Sequence, residues 1–445
     1  MRGPTQPHTE ISRGEPSRRA PGRRTLIAAA LSLAAVASLS LVPAASASDT
    51  CDRVAAPNGS DSEPGTAAAP FRTAHKLVGS LGSGQTGCLR SGTYSWSGDL
   101  AIRTPGITVT SYPGEGATLA GRLRVEATAD DAVIEGLILD GRNANDHLSP
   151  LIYADRVVLR DNEITNSRTG ICVSVDDFPG YPAPREVVIS DNRIHDCGQA
   201  GTNQQHAIYL AQARDTVIRD NWIYRNADRG IQLYPNADGT LVTGNVIDSN
   251  GEGIIFGGAG SQSSDDNLVK GNVITNSTIR YNVESYWSGA VGTGNVVRDN
   301  CVWTARNSYD GTPEGSGIQD SQVGFSIRGN VIADPRYVDR AAGDFTLQAR
   351  SRCDRRTCSK LISGSSGRDV LLGTRARDRL RGRGGGDRIT GRRGRDCLKG
   401  GPGGDVLKAA DGRRDAVRCG GGVDTAIVDP SDKVSDCERV RRRAS

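Results

Sequence analysis

The sequence predicts an all-β solenoid followed by a second, smaller array of tighter repeats. A phrase of Asp-Asn or Gly-Asn followed by apolar residues occurs seven times between residues 160 and 335. The asparagines of this phrase lie 24 to 30 residues apart, at Asn162, Asn192, Asn221, Asn245, Asn272, Asn300 and Asn330. Beyond residue 368, aspartates recur every nine or ten residues. Repeats this short cannot bury an apolar face alone, so each array is expected to form a stack.

Short β-branched runs come before the asparagine in successive repeats. They occupy residues 157–159, 187–189, 216–218 and 240–242. Such runs favour strands, and asparagines that recur at one corner can hydrogen-bond along the stack as a ladder. An earlier repeat over residues 133–139 carries Gly136 at the asparagine position.

This pattern resembles the right-handed parallel β-helix of secreted polysaccharide lyases, epimerases and related proteins, over about residues 89–339. The resemblance implies a right-handed single-stranded parallel β-helix solenoid, which we place at residues 93–350. The loop-rich residues 48–92 are expected to form an N-terminal cap, because the first coil otherwise leaves an open strand edge. Residues 351–363 are expected to form a linker.

Residues 1–47 have the features of a signal peptide. Four arginines at positions 18–24 precede an apolar run over residues 26–42, and a small-residue cleavage signal follows at 45–47. Both a twin-arginine and a general export route fit this leader. We expect a secreted protein, extracellular or at the cell surface. No second apolar stretch of this length follows, so we expect no membrane span.

The ten cysteines all follow the leader, which favours structural disulfides in an oxidising compartment. No CxxC pair or Cys/His cluster has the spacing of a zinc site. We expect Cys51 to pair with Cys88 at the cap and Cys172 to pair with Cys197 between adjacent coils. The composition, with 36% hydrophobic residues and 56 glycines, suits thin cores and many turns.

The second array, residues 364–445 with the C-terminal tail, repeats every nine residues. Its aspartates are Asp369, Asp378, Asp387, Asp396, Asp405, Asp415 and Asp424. An apolar residue stands two positions after each of the first six. The pattern is similar to the GGxGxDxUx nonapeptide of calcium-binding RTX repeats, which residues 400–408 match in full. The resemblance implies a small parallel β-roll with Ca²⁺ as cofactor, held by these aspartates and by loop carbonyls of neighbouring turns.

This array departs from the RTX pattern in charge. Residues 364–426 carry 13 Arg and 2 Lys against 8 Asp, a net charge of +7, and the turn at 373–381 keeps only its first glycine. We therefore expect calcium chiefly at residues 383–408. Two alternatives stay open: a roll that folds without metal, and an arginine patch for an anionic polymer. Nucleic acid is disfavoured as a partner, because no aromatic residue interleaves the arginines.

Six segments of the later coils align as strands, at residues 170–174, 207–211, 230–234, 253–257, 282–286 and 317–321. Alternation predicts one outward column, made of Cys172, Tyr209, Gln232, Ile255, Glu284 and Gln319. A second outward column contains Tyr234 and Tyr286. Just before the strands stand His206, Arg229, Glu252 and Tyr281. If side chains alternate from these residues into the strands, this last group points inward, unless the glycines after Arg229 and Glu252 mark a turn.

Tyrosines beside His, Arg and Glu suit an extracellular polysaccharide. For elimination from a uronate, His206 or Tyr209 would act as base and acid, and Arg229 would neutralise the developing enolate. The predicted substrate-binding residues are Gln232, Tyr234, Glu252, Glu284 and Tyr286. Hydrolysis ranks lower, because the Glu252 and Glu284 backbones are expected to lie roughly 11 Å apart.

The function predicted is therefore lyase-type cleavage of a uronate-containing glycan. Uronate epimerisation shares the proton abstraction, but the chain lacks the Asp-Pro-His tract expected of mannuronan epimerases. The alternative is a non-catalytic glycan-binding, adhesion or structural surface protein, since fold alone does not imply function. The sequence does not specify an oligomeric state.

Overall fold

The computed structural model describes residues 51–143, 148–305, 315–348, 351–353, 360–374 and 377–443. The predicted signal peptide lies outside the described residues, and the predicted domain boundaries stay predictions. No helix within the described residues is long and apolar enough to cross a membrane.

The described chain is built almost entirely from short strands. Those of the solenoid are β1 (Arg53–Ala55), β2 (Thr86–Leu89), β3 (Gly92–Ile102), β4 (Thr108–Ser111), β5 (Ala117–Val125), β6 (Val133–Glu135), β7 (Ile138–Asp140), β8 (Leu151–Ile152), β9 (Val158–Arg160), β10 (Glu163–Thr165), β11 (Val173–Val175), β12 (Val188–Ser190), β13 (Arg193–His195), β14 (Ile208–Arg214), β15 (Val217–Arg219), β16 (Trp222–Tyr224), β17 (Arg229–Asp238), β18 (Leu241–Thr243), β19 (Val246–Asp248), β20 (Glu252–Gly260), β21 (Gln262–Ser263), β22 (Leu268–Lys270), β23 (Val273–Thr275), β24 (Val283–Gly289), β25 (Asn295–Arg298), β26 (Cys301–Trp303), β27 (Phe325–Arg328) and β28 (Val331–Ile332).

A hairpin and a second set of strands follow the solenoid. They are β29 (Tyr337–Asp339), β30 (Asp344–Leu347), β31 (Lys360–Ser363), β32 (Val370–Leu372), β33 (Asp378–Arg381), β34 (Arg388–Thr390), β35 (Cys397–Pro402), β36 (Val406–Lys408), β37 (Ala416–Gly421), β38 (Thr425–Val428), β39 (Lys433–Ser435) and β40 (Arg439–Arg442). The one α-helix described, α1 (Ala74–Ser80), lies near the start of the chain.

Successive coils of the solenoid pair in parallel on three faces. Face A is an 11-stranded sheet that runs from β1 to β27. Faces B and C form one 17-stranded sheet, because the long strands β3 and β5 pass from one face to the other. One coil takes a strand from each face, as β12, β13 and β14 do, and the next coil repeats the order with β15, β16 and β17. The expected parallel β-helix is thus the observed architecture.

The asparagine phrase forms the corner between faces A and B. The residue before the asparagine adopts a left-handed conformation, with φ of 59° at Asp191 and 71° at Gly244. Asp and Gly are among the few residues that reach this region readily, which explains the Asp-Asn and Gly-Asn pattern. The Oδ1 atom of Asn221 accepts hydrogen bonds from the backbone N and from Nδ2 of Asn192, at 2.9 and 3.0 Å. The same bonds link all seven asparagines, so the predicted ladder is confirmed.

A cap covers the first coils. Helix α1 begins after Thr73, whose side chain accepts a hydrogen bond from Lys76 N. Its Leu77 and Val78 are buried against the solenoid core. Both predicted disulfides are present, Cys51–Cys88 and Cys172–Cys197. Two more described disulfides join Cys301 to Cys353 and Cys419 to Cys437.

The predicted strand register on face C is right from β14 onward and wrong in the coil before it. Gln232 lies opposite Tyr209, as predicted, but Ser174 rather than Cys172 is the other neighbour of Tyr209. The slip is two residues, and a shift of two leaves every side chain on its original face, so the hydrophobic pattern cannot detect it. The alignment of residues 317–321 would point Asp320 inward. Asp320 is exposed instead, because its coil pairs with β24 through a single bridge.

The C-terminal strands form a small β-roll with two five-stranded parallel sheets. Its core contains the apolar residues that stand two positions after each aspartate, and Leu380, Ile389 and Leu407 are fully buried. The predicted roll is therefore confirmed. The hairpin β29–β30 packs on the outward side of face B, where Phe345 meets the rings of Trp222 and Tyr337 edge-on.

Candidate functional site

The residues predicted to stand before the face C strands lie in adjacent coils, but they are buried. Arg229 lies directly opposite Glu252. The exposed fractions are 3% for His206, 6% for Arg229 and 1% for Glu252. Strands β17 and β20 begin at Arg229 and Glu252 themselves, so the glycines that follow do not mark a turn. The three side chains are buried and do not face solvent.

These buried side chains belong to a network of two arginines and two glutamates. The Nε atom of Arg229 lies 2.9 Å from Oε2 of Glu252 as an ion pair, without hydrogen-bond geometry. Arg280, which the sequence analysis did not single out, donates from Nε to Glu252 and from Nη2 to Glu284, each at 2.9 Å. Glu252 therefore lies between two guanidinium groups, and Arg280 links both carboxyl groups.

The two glutamates share one proton. Burial, followed by the hydrogen bond and charge of Glu252, raises the pKa of Glu284 to about 9. Burial acts in the same direction on Glu252, but the hydrogen bond from Glu284 and the charges of Arg229 and Arg280 outweigh it and lower the pKa of Glu252. At neutral pH, Glu252 is ionised and Glu284 is protonated.

Both glutamates are buried, and their backbones are offset along the strands as expected, with Glu284 opposite Ile255 rather than Glu252. Arg280 donates to both carboxyl groups, so the two side chains converge on one guanidinium group. A hydrolase places its two carboxyl groups on either side of the bond to be cut, roughly 5 to 9.5 Å apart. Two buried carboxyl groups that bind the same arginine do not provide this arrangement.

His206 is held neutral behind Tyr209. Burial, followed by the charge of Arg229, lowers the pKa of His206 well below its ordinary value, and Gln232 opposes this only in part. Among the described residues, Nδ1 of His206 has no hydrogen-bond partner. The ring meets that of Tyr209 edge-on at 5.6 Å. Tyr209 is half-buried, and burial, with the charges of Asp176 and Tyr234, raises its pKa to about 12.

The observed register brings tyrosines and one acid to the outer surface of face C. We call Tyr153, Asp176, Tyr209, Tyr234 and Tyr286 the tyrosine strip. Tyr286 is 58% exposed and lies opposite Gly257. The ring of Tyr234 lies over Gly257, where a Cβ atom would stand 2.7 Å from the ring Cδ2. A larger residue at position 257 would therefore displace the Tyr234 ring.

Asp176 is the residue that sequence reasoning missed. It follows β11, and its backbone N donates to Ile152 O at 3.1 Å, which places it beside Tyr153. Burial raises the pKa of Asp176 to about 6. The two-residue slip removed Asp176 from the predicted column, although the alternation of residues 173–175 continues into it and was the available signal.

Two of the five predicted substrate-binding residues reach the surface, namely Tyr234 and Tyr286. Gln232, Glu252 and Glu284 are buried beneath the strip. The roles given to all eight predicted catalytic and substrate-binding residues stay predictions.

The aspartates of the β-roll form two ladders of their own. One contains Asp378, Asp396 and Asp415, and the other contains Asp369, Asp387, Asp405 and Asp424. After the first rung of each ladder, the Oδ1 atom accepts from the backbone N of the aspartate one rung before, as Asp405 does from Asp387 at 2.8 Å. Five of the Oδ2 atoms are buried and have no hydrogen-bond partner among the described residues: those of Asp387, Asp396, Asp405, Asp415 and Asp424.

Comparison with known families agrees with both repeats. Residues 142–332 match the family of right handed beta helix regions. Residues 363–398 and 372–407 match RTX calcium-binding nonapeptide repeats. The chain carries a right-handed β-helix region followed by RTX repeats. No curated protein matches its sequence.

Solved structures resemble the chain at low sequence identity. An alginate lyase from Paenibacillus sp. str. FPU-7 is 16% identical, over 83% of this chain and 96% of that chain, with a TM-score of 0.34. Pectate lyase Pel9A is 12% identical, over 88% and 79%, with a TM-score of 0.33. PfbA, a surface adhesin of Streptococcus pneumoniae, is 10% identical, over 81% and 86%, with a TM-score of 0.42. Nothing about activity follows from these values.

The donor atoms of the RTX repeats fit a hard cation. A Cβ atom at Gly382 or Gly400 would stand 2.0 or 2.2 Å from the free Oδ2 of Asp387 or Asp405. The carbonyl oxygens of Gly400 and Cys419 approach the same two glycines. Buried carboxylate oxygens beside backbone carbonyls form the donor set that Ca²⁺ prefers. Among the described residues, no three His, Cys, Asp or Glu side chains converge on one point, so carbonyls must complete any site.

Two of the predicted calcium ligands differ from the rest. The Oδ2 atom of Asp369 accepts from the backbone N of Ser365 at 2.7 Å and from its hydroxyl at 3.0 Å. The Oδ2 atom of Asp378 accepts in the same way from Thr374. Where a serine or threonine stands in place of a glycine of the repeat, its backbone N and hydroxyl group donate hydrogen bonds to the aspartate Oδ2 atom. Among these aspartates the Oδ2 atoms without a partner thus begin at Asp387, whereas the unpartnered oxygen of Asp378 is Oδ1.

Proposed function

We propose that the protein binds an extracellular polysaccharide along the tyrosine strip. The observation that carries this proposal is the Tyr234 ring packed against Gly257, with the 58% exposed Tyr286 further along the strip. Aromatic faces stack on the apolar faces of pyranose rings, and their hydroxyl groups bind sugar hydroxyls. The two tyrosines lie two coils apart, or about 9.6 Å, which suits an extended chain running along the solenoid axis.

The polar groups of the strip favour an acidic polysaccharide. Arg122 and Arg124 lie close enough to Tyr153 for their charges to act against the rise in its pKa that burial causes. Arg124 forms ion pairs with Asp99 at 2.9 Å and with Glu126 at 2.6 Å. A uronate carboxylate would bind the guanidinium groups at this end of the strip in exchange for these internal partners. Disulfides persist in oxidising compartments, so we place this function outside the cytoplasm.

Replacing Tyr286 or Tyr234 by Ala is expected to weaken binding of a uronate polymer about three- to tenfold, since one stacking contact is lost in each case. Titration calorimetry with polygalacturonate and alginate measures the change. Tyr112→Ala is the matched control, because the Tyr112 ring lies outside the strip and is covered by Arg90 at 4.0 Å. Equal affinity of all three variants and the parent protein would contradict the proposal.

Lyase-type cleavage is a second candidate, favoured by the acid–base pair within the strip. Asp176, with a pKa of about 6, is ionised at neutral pH and can take the proton beside a uronate carboxylate. Tyr209, with a pKa of about 12, is protonated and can donate to the departing oxygen. In this candidate Tyr209 keeps its predicted role as acid. The buried His206 and Arg229 support the strand behind Tyr209 rather than contact the polymer.

The lyase candidate predicts an increase in ultraviolet absorbance from unsaturated uronate when the protein meets its polymer. The rate should rise with pH through about 6, because Asp176 must lose its proton to act as base. Asp176→Asn should abolish the signal and leave binding intact. Absence of signal across pectic, alginate and glycosaminoglycan polymers, with binding retained, would leave the binding function alone.

We also propose that the RTX repeats bind Ca²⁺ at Asp387, Asp396, Asp405, Asp415 and Asp424. Removing calcium with a chelator is then expected to lower the Tm of the protein, and Asp405→Asn is expected to reduce that response. Asp369→Asn is the matched control, since Ser365 already satisfies the Oδ2 atom of Asp369. Scanning calorimetry with calcium and with chelator measures both. A Tm that is the same in both conditions would refute the calcium proposal.

A further inference from the structure

The solenoid and the RTX repeats enclose a cleft of about 920 Å³ along the asparagine corner. It passes the residue before the asparagine in five successive coils, from Asp191 to Asp299. Neighbouring coils are about 4.8 Å apart, so the cleft is about 19 Å long. A cleft of this shape suits an extended chain better than a compact small molecule.

Ion pairs hold the RTX repeats against this corner. Arg413 Nη2 lies 3.3 Å from Oδ1 of Asp191 and 3.7 Å from Oδ1 of Asp161. Arg393 also pairs with Asp161. The aspartates of the Asp-Asn phrase therefore have two roles. They form the turn between faces A and B, and they bind the RTX repeats, which form the second wall of the cleft.

The cleft carries a surplus of positive charge. Seven Arg or Lys side chains line it, against five Asp. Two of these aspartates, Asp396 and Asp415, are buried and direct Oδ1 into the RTX ladder. The other three each pair with an arginine of the solenoid. Lys270 on the solenoid wall and Arg414 on the RTX wall have no acidic partner within the part of the chain that the structure describes.

We propose that this cleft is a second binding site, specific for an anionic polysaccharide. Cations on both walls can bind successive carboxylate or sulfate groups of one chain, and a cleft focuses their field. Nucleic acid fits less well, because one face of the Trp222 ring is already covered by Arg193 at 4.7 Å and the ring also meets Phe345 edge-on, which restricts the stacking of a base. The site uses no residue of the tyrosine strip and goes beyond the function proposed for it.

The test is the affinity of the purified protein for heparin at low salt, compared with the double variant Lys270→Glu/Arg414→Glu. We expect the variant to bind at least about tenfold more weakly, and the affinity of the parent to fall steeply as salt is added. Lys433→Glu/Arg439→Glu makes the same change of charge at exposed RTX residues that do not line the cleft. This control is expected to bind within about twofold of the parent.

Three results would overturn the proposal. They are no heparin binding by the parent, equal loss in both double variants, or displacement of heparin by a single-stranded oligonucleotide that binds more tightly. Tyr286→Ala should keep its full heparin affinity. The binding proposals for the cleft and for the tyrosine strip can therefore be refuted independently of one another.

Discussion

Replacing Glu252 by Gln is expected to lower the free energy of unfolding by about 3 to 5 kcal/mol, the usual cost of breaking a buried ion pair. The change removes the negative charge that lies between Arg229 and Arg280, and leaves the buried guanidinium group of Arg229 without its ionic partner. Urea denaturation at pH 7 measures the loss.

Glu284→Gln is the matched control, and it is expected to raise the stability at pH 7 rather than lower it, because glutamine does not have to bind a proton on folding as Glu284 does. Glu284 is already protonated there, and a glutamine oxygen can accept the hydrogen bond from Arg280 that Glu284 now accepts. A loss as large as that of Glu252→Gln would contradict the shared proton, because it would mean that Glu284 carries charge in the folded protein.

The same pair predicts a dependence of stability on pH. The folded protein keeps the proton of Glu284 up to about pH 9, whereas the unfolded chain loses it near the ordinary value of 4.5. The unfolded state therefore binds fewer protons between these limits, and this contribution to stability falls as pH rises through that window. Glu284→Gln should remove the contribution, which a series of urea denaturations from pH 5 to 9 would show as a flatter profile.

Asn221→Ala is expected to lower the free energy of unfolding by about 3 to 6 kcal/mol, because several buried polar groups lose their partners at once. Oδ1 of Asn221 accepts from both N and Nδ2 of Asn192, and its own Nδ2 donates to Ile189 O and to Oδ1 of Asn245. Denaturation monitored by circular dichroism measures the effect.

Asn330→Ala is the comparison within the same ladder. Asn330 is the last rung and is only half-buried, so water can replace part of what it provides. The expected loss is about 1 kcal/mol. Equal losses at Asn221 and Asn330 would show that the ladder contributes through local turn preference rather than through buried hydrogen bonds.

The sequence was sufficient for those parts of the fold that repeat. The asparagine ladder and the apolar core of the roll each follow from one residue type at one interval, so an error in a single coil does not affect the prediction. The exposed ends of Tyr234 and Tyr286 were predicted correctly for the same reason. Register within one coil is different, because a slip of two residues at Cys172 conserves every inward and outward position.

The buried charge network could not be predicted, for a different reason. Arg280 lies in a loop before β24, outside every repeated position, yet it joins Glu252 to Glu284. Glutamate and arginine side chains span several ångströms, so backbone offset alone does not decide which charged groups meet. In the roll, by contrast, the sequence did contain the decisive signal, since Thr374 and Ser365 replace glycine where the aspartate is satisfied internally.

The asparagine ladder also bears on how such a chain can evolve. Every rung presents the same acceptor to the coil before it and the same donors to the coil after it, so no rung identifies its own place in the series. Duplication or loss of one whole coil would therefore preserve every rung that remains. The length of the solenoid is free to change in steps of one coil without redesign of either end.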